Sequence, residues 1–149
     1  MSSKPSLKTL IFIICIVMLT SCRGSREHRI PLEIAANASW VDTGVDVTNK
    51  TVHIKYVSGT WSNDGGAHAC DGEGFIPESN DFRDLIPKLI LSNAPLGALI
   101  GKTTGAPFFV GNTYEDRPGE GHLFLSINDK PDSLDDNTGS LRIELWVTE

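Results

Sequence analysis

The segment SLRIELWV, residues 140–147, decides the fold class. Leu141, Ile143, Leu145 and Val147 alternate with Ser140, Arg142, Glu144 and Trp146. Successive side chains on a strand point to opposite faces, so a period of two turns one apolar row toward a core and the other toward solvent. TVHIKYV, residues 51–57, repeats the pattern, with Val52, Ile54 and Tyr56 on one face and His53 and Lys55 on the other. Residues 122–127 (HLFLSI), 97–102, 107–110 and 30–36 are further strand candidates. Turn residues separate them at Asn63-Asp64-Gly65-Gly66, Arg117-Pro118-Gly119 and Asp136-Asn137-Thr138-Gly139. Residues 81–91 alone hint at a helix, and Pro87 interrupts it. Short alternating strands with frequent turns predict an all-β fold, an antiparallel β-sandwich.

The chain has 149 residues, 14 Gly and 8 Pro, and that abundance of turn formers favours strands over a helix bundle. Hydrophobic content of 40% argues against disorder. The formal charge is −6. A nucleic acid or an anionic membrane face needs a positive patch, so this balance excludes nucleic acid as the expected partner.

Residues 1–21 read as a signal peptide. Lys4 and Lys8 form a positive start, and residues 10–19 (LIFIICIVML) form an apolar run too short to span a bilayer. Leu19-Thr20-Ser21-Cys22 resembles the bacterial lipobox, in which the cysteine becomes the lipidated first residue of the mature protein. Acyl chains such as palmitate on Cys22 would anchor the chain at about 0.8 kcal/mol per buried CH₂. The expected location is therefore the bacterial cell envelope, with the protein exported and held to a membrane. Residues 22–30 read as a polar tether and residues 31–149 as the sandwich domain. With Cys15 in the signal and Cys22 under lipid, Cys70 has no disulfide partner.

The stretch INDKPDSLDDNTGSL, residues 127–141, lies between two strand candidates. It carries Asp129, Asp132, Asp135 and Asp136 together with Asn128 and Asn137. Ca²⁺ takes six to eight oxygen ligands from carboxylates, amides and backbone carbonyls, and it relieves the repulsion among crowded acids. The spacing is not that of an EF-hand, because Leu134 and Asn137 fall where a ligand and the glycine would stand. On chemistry alone the loop is either a cation cage or a solvated acidic turn closing a hairpin.

This stretch resembles the calcium and sugar loop of the PA-I galactophilic lectin family, the LecA-like calcium-dependent bacterial lectins. The likeness rests on Asn128-Asp129-Lys130-Pro131 and Asp136-Asn137-Thr138-Gly139-Ser140 at the family's spacing. It extends upstream through Trp40, Thr43-Gly44, Gly59-Thr60-Trp61, residues 94–102 (APLGALIGK) and residues 107–111 (PFFVG). It covers about residues 35–147. The resemblance implies a small sandwich of the galactose-binding-like, jelly-roll kind, with one Ca²⁺ that bridges protein and sugar. It implies side-chain ligands from Asp129, Asp136 and Asn137 and backbone carbonyls from Ser133 and Asp64. It places Asp129, Asp136 and Asn137 against the sugar. It further implies a galactose-type ligand, weak binding of one sugar and lectins that can oligomerise. Two departures stand out: Asp136 occupies an amide position, and no motif matches the family's second sugar-contacting loop.

His68, Cys70 and Asp71 lie together in a Gly-rich stretch. Acidic surroundings raise a thiol's pKa, so Cys70 reads as a small buried residue and not a nucleophile. Glu115 and Asp116 read as a solvated turn. Trp40 and Trp61 read as core, with Trp146 as the exception because its alternation sets it opposite Leu145. The resulting expectation is a membrane-anchored, calcium-dependent carbohydrate-binding lipoprotein and not an enzyme. The alternative is a structural or protein-interaction lipoprotein domain that binds no sugar.

Overall fold

The computed structural model describes residues 27–78 and 84–149. The signal segment, the Cys22 lipid site and residues 79–83, which include the start of the expected helix, lie outside the described residues.

Among the described residues, eight antiparallel strands form two four-stranded sheets. They are β1 (Ile30–Ala35), β2 (Val41–Asp46), β3 (Thr51–Ser62), β4 (Leu99–Lys102), β5 (Phe108–Phe109), β6 (Thr113–Asp116), β7 (His122–Ile127) and β8 (Thr138–Thr148). One sheet runs β1-β8-β3-β6 and the other β2-β7-β4-β5. This is the jelly-roll order, in which successive strands alternate between two packed sheets except for β4 and β5, which pair within one sheet.

The alternation read from the sequence sets the core. Leu141, Ile143 and Leu145 of β8 are buried, as are Leu123, Leu125 and Ile127 of β7. They pack with Val52 and Ile54 of β3 and Ile34 of β1. At about 25 cal/mol per Å² of apolar surface, each such side chain contributes roughly 1.5–3 kcal/mol on burial.

β3 is longer than its alternation suggests. The pairing steps from Tyr56 opposite Ile143 to Ser58 opposite Arg142, so Val57 is an extra, bulged residue. Val57 is exposed, and the bulge reverses which positions face inward. Trp61, which a strict period of two would turn outward, enters the core at 1% exposure and donates its indole N–H to the Gly97 carbonyl at 2.7 Å. Gly59-Thr60-Trp61 therefore lies inside a strand and does not follow one. Gly59 and Gly139 are each required by close approach: a Cβ on either would sit 2.3 Å from a carbonyl oxygen of the neighbouring strand.

Three other expectations change. VDTGVD of β2 was hidden by its turn-forming Asp and Gly residues, yet Val41, Thr43 and Val45 line its inner face. Glu115 and Asp116 belong to edge strand β6, paired with His53 and Val52, and not to a turn. Of the segment 81–91, the described part contains one 3-10 turn, Ile86–Lys88, with Pro87 inside it. Trp146 does face outward, but its ring is not free. His53 of β3 stacks on it at 5.0 Å, and Arg29, next to β1, places its guanidinium 4.4 Å from the ring centroid. Because β8 lies between β1 and β3, the two groups approach from its two sides.

Candidate metal and ligand site

The β7–β8 connection runs from one sheet to the other, so it is a crossover at one pole of the sandwich and not a hairpin turn. The ends of β1, β3 and β7 meet the start of β8 there. The backbone N–H of Gly65 donates to the carbonyl of Asp136 at 2.9 Å, which ties the loop after β3 to the acidic loop. The Asn137 amide donates to the carbonyl of Ala36 at 3.2 Å, which ties in the end of β1. Residues far apart in sequence are thus gathered around Asp129 and Asn137.

Asn128 holds this arrangement in place. It is fully buried, accepts from the N–H of Leu91, and donates to the carbonyls of Leu91, Ala94 and Pro95. Every polar atom of its side chain is committed to backbone, so it is a brace for residues 91–95 and not one of the loop's free oxygens. Next to it, the Ile90 N–H donates to the Asp129 carbonyl at 3.0 Å.

Asp129 is 1% exposed. Its Oδ1 accepts from the Lys130 N–H at 2.7 Å, while its Oδ2 is buried with no hydrogen-bond partner. Asn137 is 4% exposed, and its Oδ1 is likewise buried without a partner. Burial pushes the Asp129 carboxyl above its ordinary value. The Lys130 N–H and the Asn137 amide pull it down, and the charge of Asp136 pushes it up again. A buried acceptor without a donor costs about 1–3 kcal/mol, and more when charged. Two such oxygens on neighbouring side chains, both hard ligands, fit a cation.

The remaining predicted ligands lie on the same two loops. Asp136 is exposed, and its charge is felt by Asp129. Ser133 is half-buried, with its N–H donated to the Lys130 carbonyl at 3.1 Å. Asp132 and Asp135 are exposed. Among the described residues no group of three His, Cys, Asp or Glu side chains gathers to hold a metal. The donors here are instead two acids with amide and carbonyl oxygens, a mixed hard set that suits Ca²⁺ and not the nitrogen and sulfur preference of Zn²⁺.

Asp64 is different. Its Oδ1 accepts from the Ser62 hydroxyl at 2.5 Å and from the His68 N–H at 2.9 Å, and its Oδ2 pairs with the His68 ring. Burial pushes this carboxyl up, but the Ser62 hydroxyl and His68 outweigh it and hold it at about 2. The side chain is therefore spent within its own loop, which leaves the backbone carbonyl as the group Asp64 can offer. Sequence reasoning missed Asn63, whose buried Oδ1 also lacks a partner. Its neighbour's acidity drew attention away from it, and an Asn in a turn carries no signal by itself.

Two readings of the other residues change or hold here. Trp40 is not core: it is half-exposed beside this pole, in the left-handed region at φ 49. That conformation is an outlier for a bulky residue. Cys70 is buried, with its thiol pushed to about 11 by burial and then by Asp71, so it stays protonated and inert.

Fold and site together define a jelly-roll domain with an incompletely bonded oxygen cluster at the crossover between its sheets. The fold is similar to a solved structure described as "EclA N-terminal domain; PllA-like lectin", with a TM-score of 0.61 and 22% identity. The match covers 79% of this chain and 95% of that one. No protein-family model matches the sequence. No curated protein matches it.

Proposed function

We propose that this chain is a calcium-dependent carbohydrate-binding protein, a lectin held at the bacterial cell envelope by lipid on Cys22. The observation that carries this reading is the pair of buried, partnerless oxygens, Asp129 Oδ2 and Asn137 Oδ1. The lectin description of the structural neighbour and the resemblance of residues 128–140 to a calcium and sugar loop support it. Asp129, Asp136 and Asn137 would hold the ion through side chains, and Asp64 and Ser133 through backbone carbonyls. Bound there, Ca²⁺ would supply Lewis-acid contacts to two adjacent sugar hydroxyls. A single hydroxyl bound from water gains little, because water competes for the same bonds, whereas a chelated diol gains several contacts at once. Asp129, Asp136 and Asn137 would orient those hydroxyls, and a galactose-type sugar is the first candidate. Binding by such a site is non-catalytic.

A glycan array probed with the full chain, in millimolar Ca²⁺ and again in chelator, tests the reading. Calcium-dependent retention on a defined set of glycans is expected, with loss in Asp129→Ala. Equal, empty arrays under both conditions would contradict it. Palmitate labelling that disappears in Cys22→Ala would support the anchor.

A further inference from the structure

We infer that the site continues beyond the metal loop into a cationic, aromatic-walled subsite that takes the acidic group of a saccharide. This rests on the lectin reading above and adds the class of glycan. A hollow of about 490 Å³ lies against the loop, with Trp40, Leu89, Ile90, Lys102, Pro131 and Leu134 among its walls. A second, of about 280 Å³, is lined by Lys88, Lys130, Pro131, Asp132 and Ser133. The two hollows meet at Pro131, on the flank of the loop. The larger one adjoins the residues that hold the oxygen cluster. Pro131 and Leu134 belong to the loop, Ile90 bonds to the Asp129 carbonyl, and Trp40 follows closely after Ala36, whose carbonyl holds Asn137.

The charge in these hollows is unusual for a chain of net charge −6. Lys102 lines the larger hollow and Lys88 and Lys130 the smaller, and among the described residues none of them forms an ion pair with a carboxylate. Lys130 acts on Asp129, and Asp132 shares the smaller hollow with Lys88 and Lys130. Lys102 is the cation left for a ligand. Its Nζ lies 4.2 Å from the centroid of Trp40 and 5.9 Å from that of Phe124. Aromatic faces hold an ammonium in place without neutralising it. The leucine, isoleucine and proline walls lower the local dielectric, so one charge contact counts for more here than on an open surface. Trp40 is held in its left-handed backbone conformation beside this cation, and strain of that kind persists where the surroundings fix a side chain for use. An indole face takes the C–H face of a pyranose ring, and the ammonium beside it takes a carboxylate or sulfate. A neutral sugar would cover Lys102 and give it no counter-charge.

The test uses the detergent-solubilised full chain in millimolar Ca²⁺, with immobilised galactosides in three forms: unmodified, sulfated and sialylated. The acidic forms are expected to bind about tenfold tighter than the neutral parent, the scale of one charge-assisted contact. Lys102→Gln should remove that preference, Lys102→Arg should keep it, and both should leave the calcium-induced rise in Tm unchanged. Equal binding of acidic and neutral forms, or a Lys102→Gln loss shared by all three, overturns the subsite and leaves the lectin reading standing. A chain that calcium stabilises but that holds no galactoside of any form also overturns the subsite, and with an empty glycan array it overturns the lectin reading too.

Discussion

Asp64 and Asp129 sit on two loops at the same pole, joined through the Gly65 N–H and the Asp136 carbonyl. Asp64 receives a hydroxyl, a backbone N–H and an imidazole, and its pKa falls to about 2. Asp129 receives one backbone N–H and a pull from the Asn137 amide, keeps an orphan oxygen, and its pKa rises because it is buried. One carboxylate has its partners within the protein. The other is kept out of water and left short of them. The difference separates an acid that shapes a loop from the acid proposed as a ligand, and acidity alone does not reveal it. Asn128 extends the contrast to amides: it sits next to Asp129, just as buried, and has every partner it needs.

The largest expected effect tests the amide half of that comparison. Asn128→Ala strands several buried backbone groups of residues 91–95, and should lower stability by about 3 kcal/mol. Chemical denaturation checks it. A loss below about 1 kcal/mol would mean those groups find water and the brace is dispensable.

Asp129→Asn comes next and sharpens the carboxylate half. Asp129 has a raised folded pKa, so its ionisation destabilises the fold as pH rises through the unfolded value and then the folded one. At neutral pH, in chelator, the neutral variant should therefore be more stable than the parent, by about 1–2 kcal/mol. It should also lose the response to calcium. A variant less stable than the parent in chelator would show that the carboxylate is satisfied after all.

Asp64→Asn should have the smallest effect and the opposite pH dependence. Its folded pKa is depressed, so it stabilises the fold above pH 3.8, and that contribution is lost as pH falls from 3.8 toward about 2. For a partly exposed pair the neutral-pH cost should stay within about 1 kcal/mol. Melts between pH 2 and 5 should show a shallower acid limb for the variant, with calcium stabilisation at neutral pH retained, since only the backbone carbonyl of Asp64 is proposed as a ligand.

The fold was legible wherever alternation ran unbroken. β8, β7 and the first half of β3 show a period of two, and they hold the core. Legibility failed at three kinds of place. The bulge at Val57 reversed the facing of β3, a change that no periodicity can announce. Asp42, Gly44 and Asp46 break up any apolar run in β2, which was not among the strand candidates, although Thr43 anchors it by donating its hydroxyl to the Leu123 carbonyl at 2.8 Å. Glu115 and Asp116 lie on an edge strand, where no buried face enforces a pattern. In the candidate site, composition singled out the loop that carries the partnerless oxygens of Asp129 and Asn137, because few short stretches hold so many hard oxygens. It could not rank those oxygens. Asn128 and Asn137 look alike in sequence, and only their hydrogen bonding distinguishes the brace from the proposed ligand. Trp40 read as core because most tryptophans are, whereas this one walls a hollow.

The account stands or falls on a cation at Asp129 and Asn137. A thermal melt of the full chain, in chelator and in Ca²⁺, with an Asp129→Ala plus Asp136→Ala variant beside it, measures that directly. A ligand bound only by the folded state stabilises by RT ln(1 + [L]/Kd), about 2.7 kcal/mol at a hundredfold excess over Kd. In a domain of this size that is a rise of roughly 10 °C. The predicted result is such a rise with Ca²⁺ in the parent and none in the variant. An unchanged Tm in millimolar Ca²⁺, or an equal rise in the variant, would contradict it.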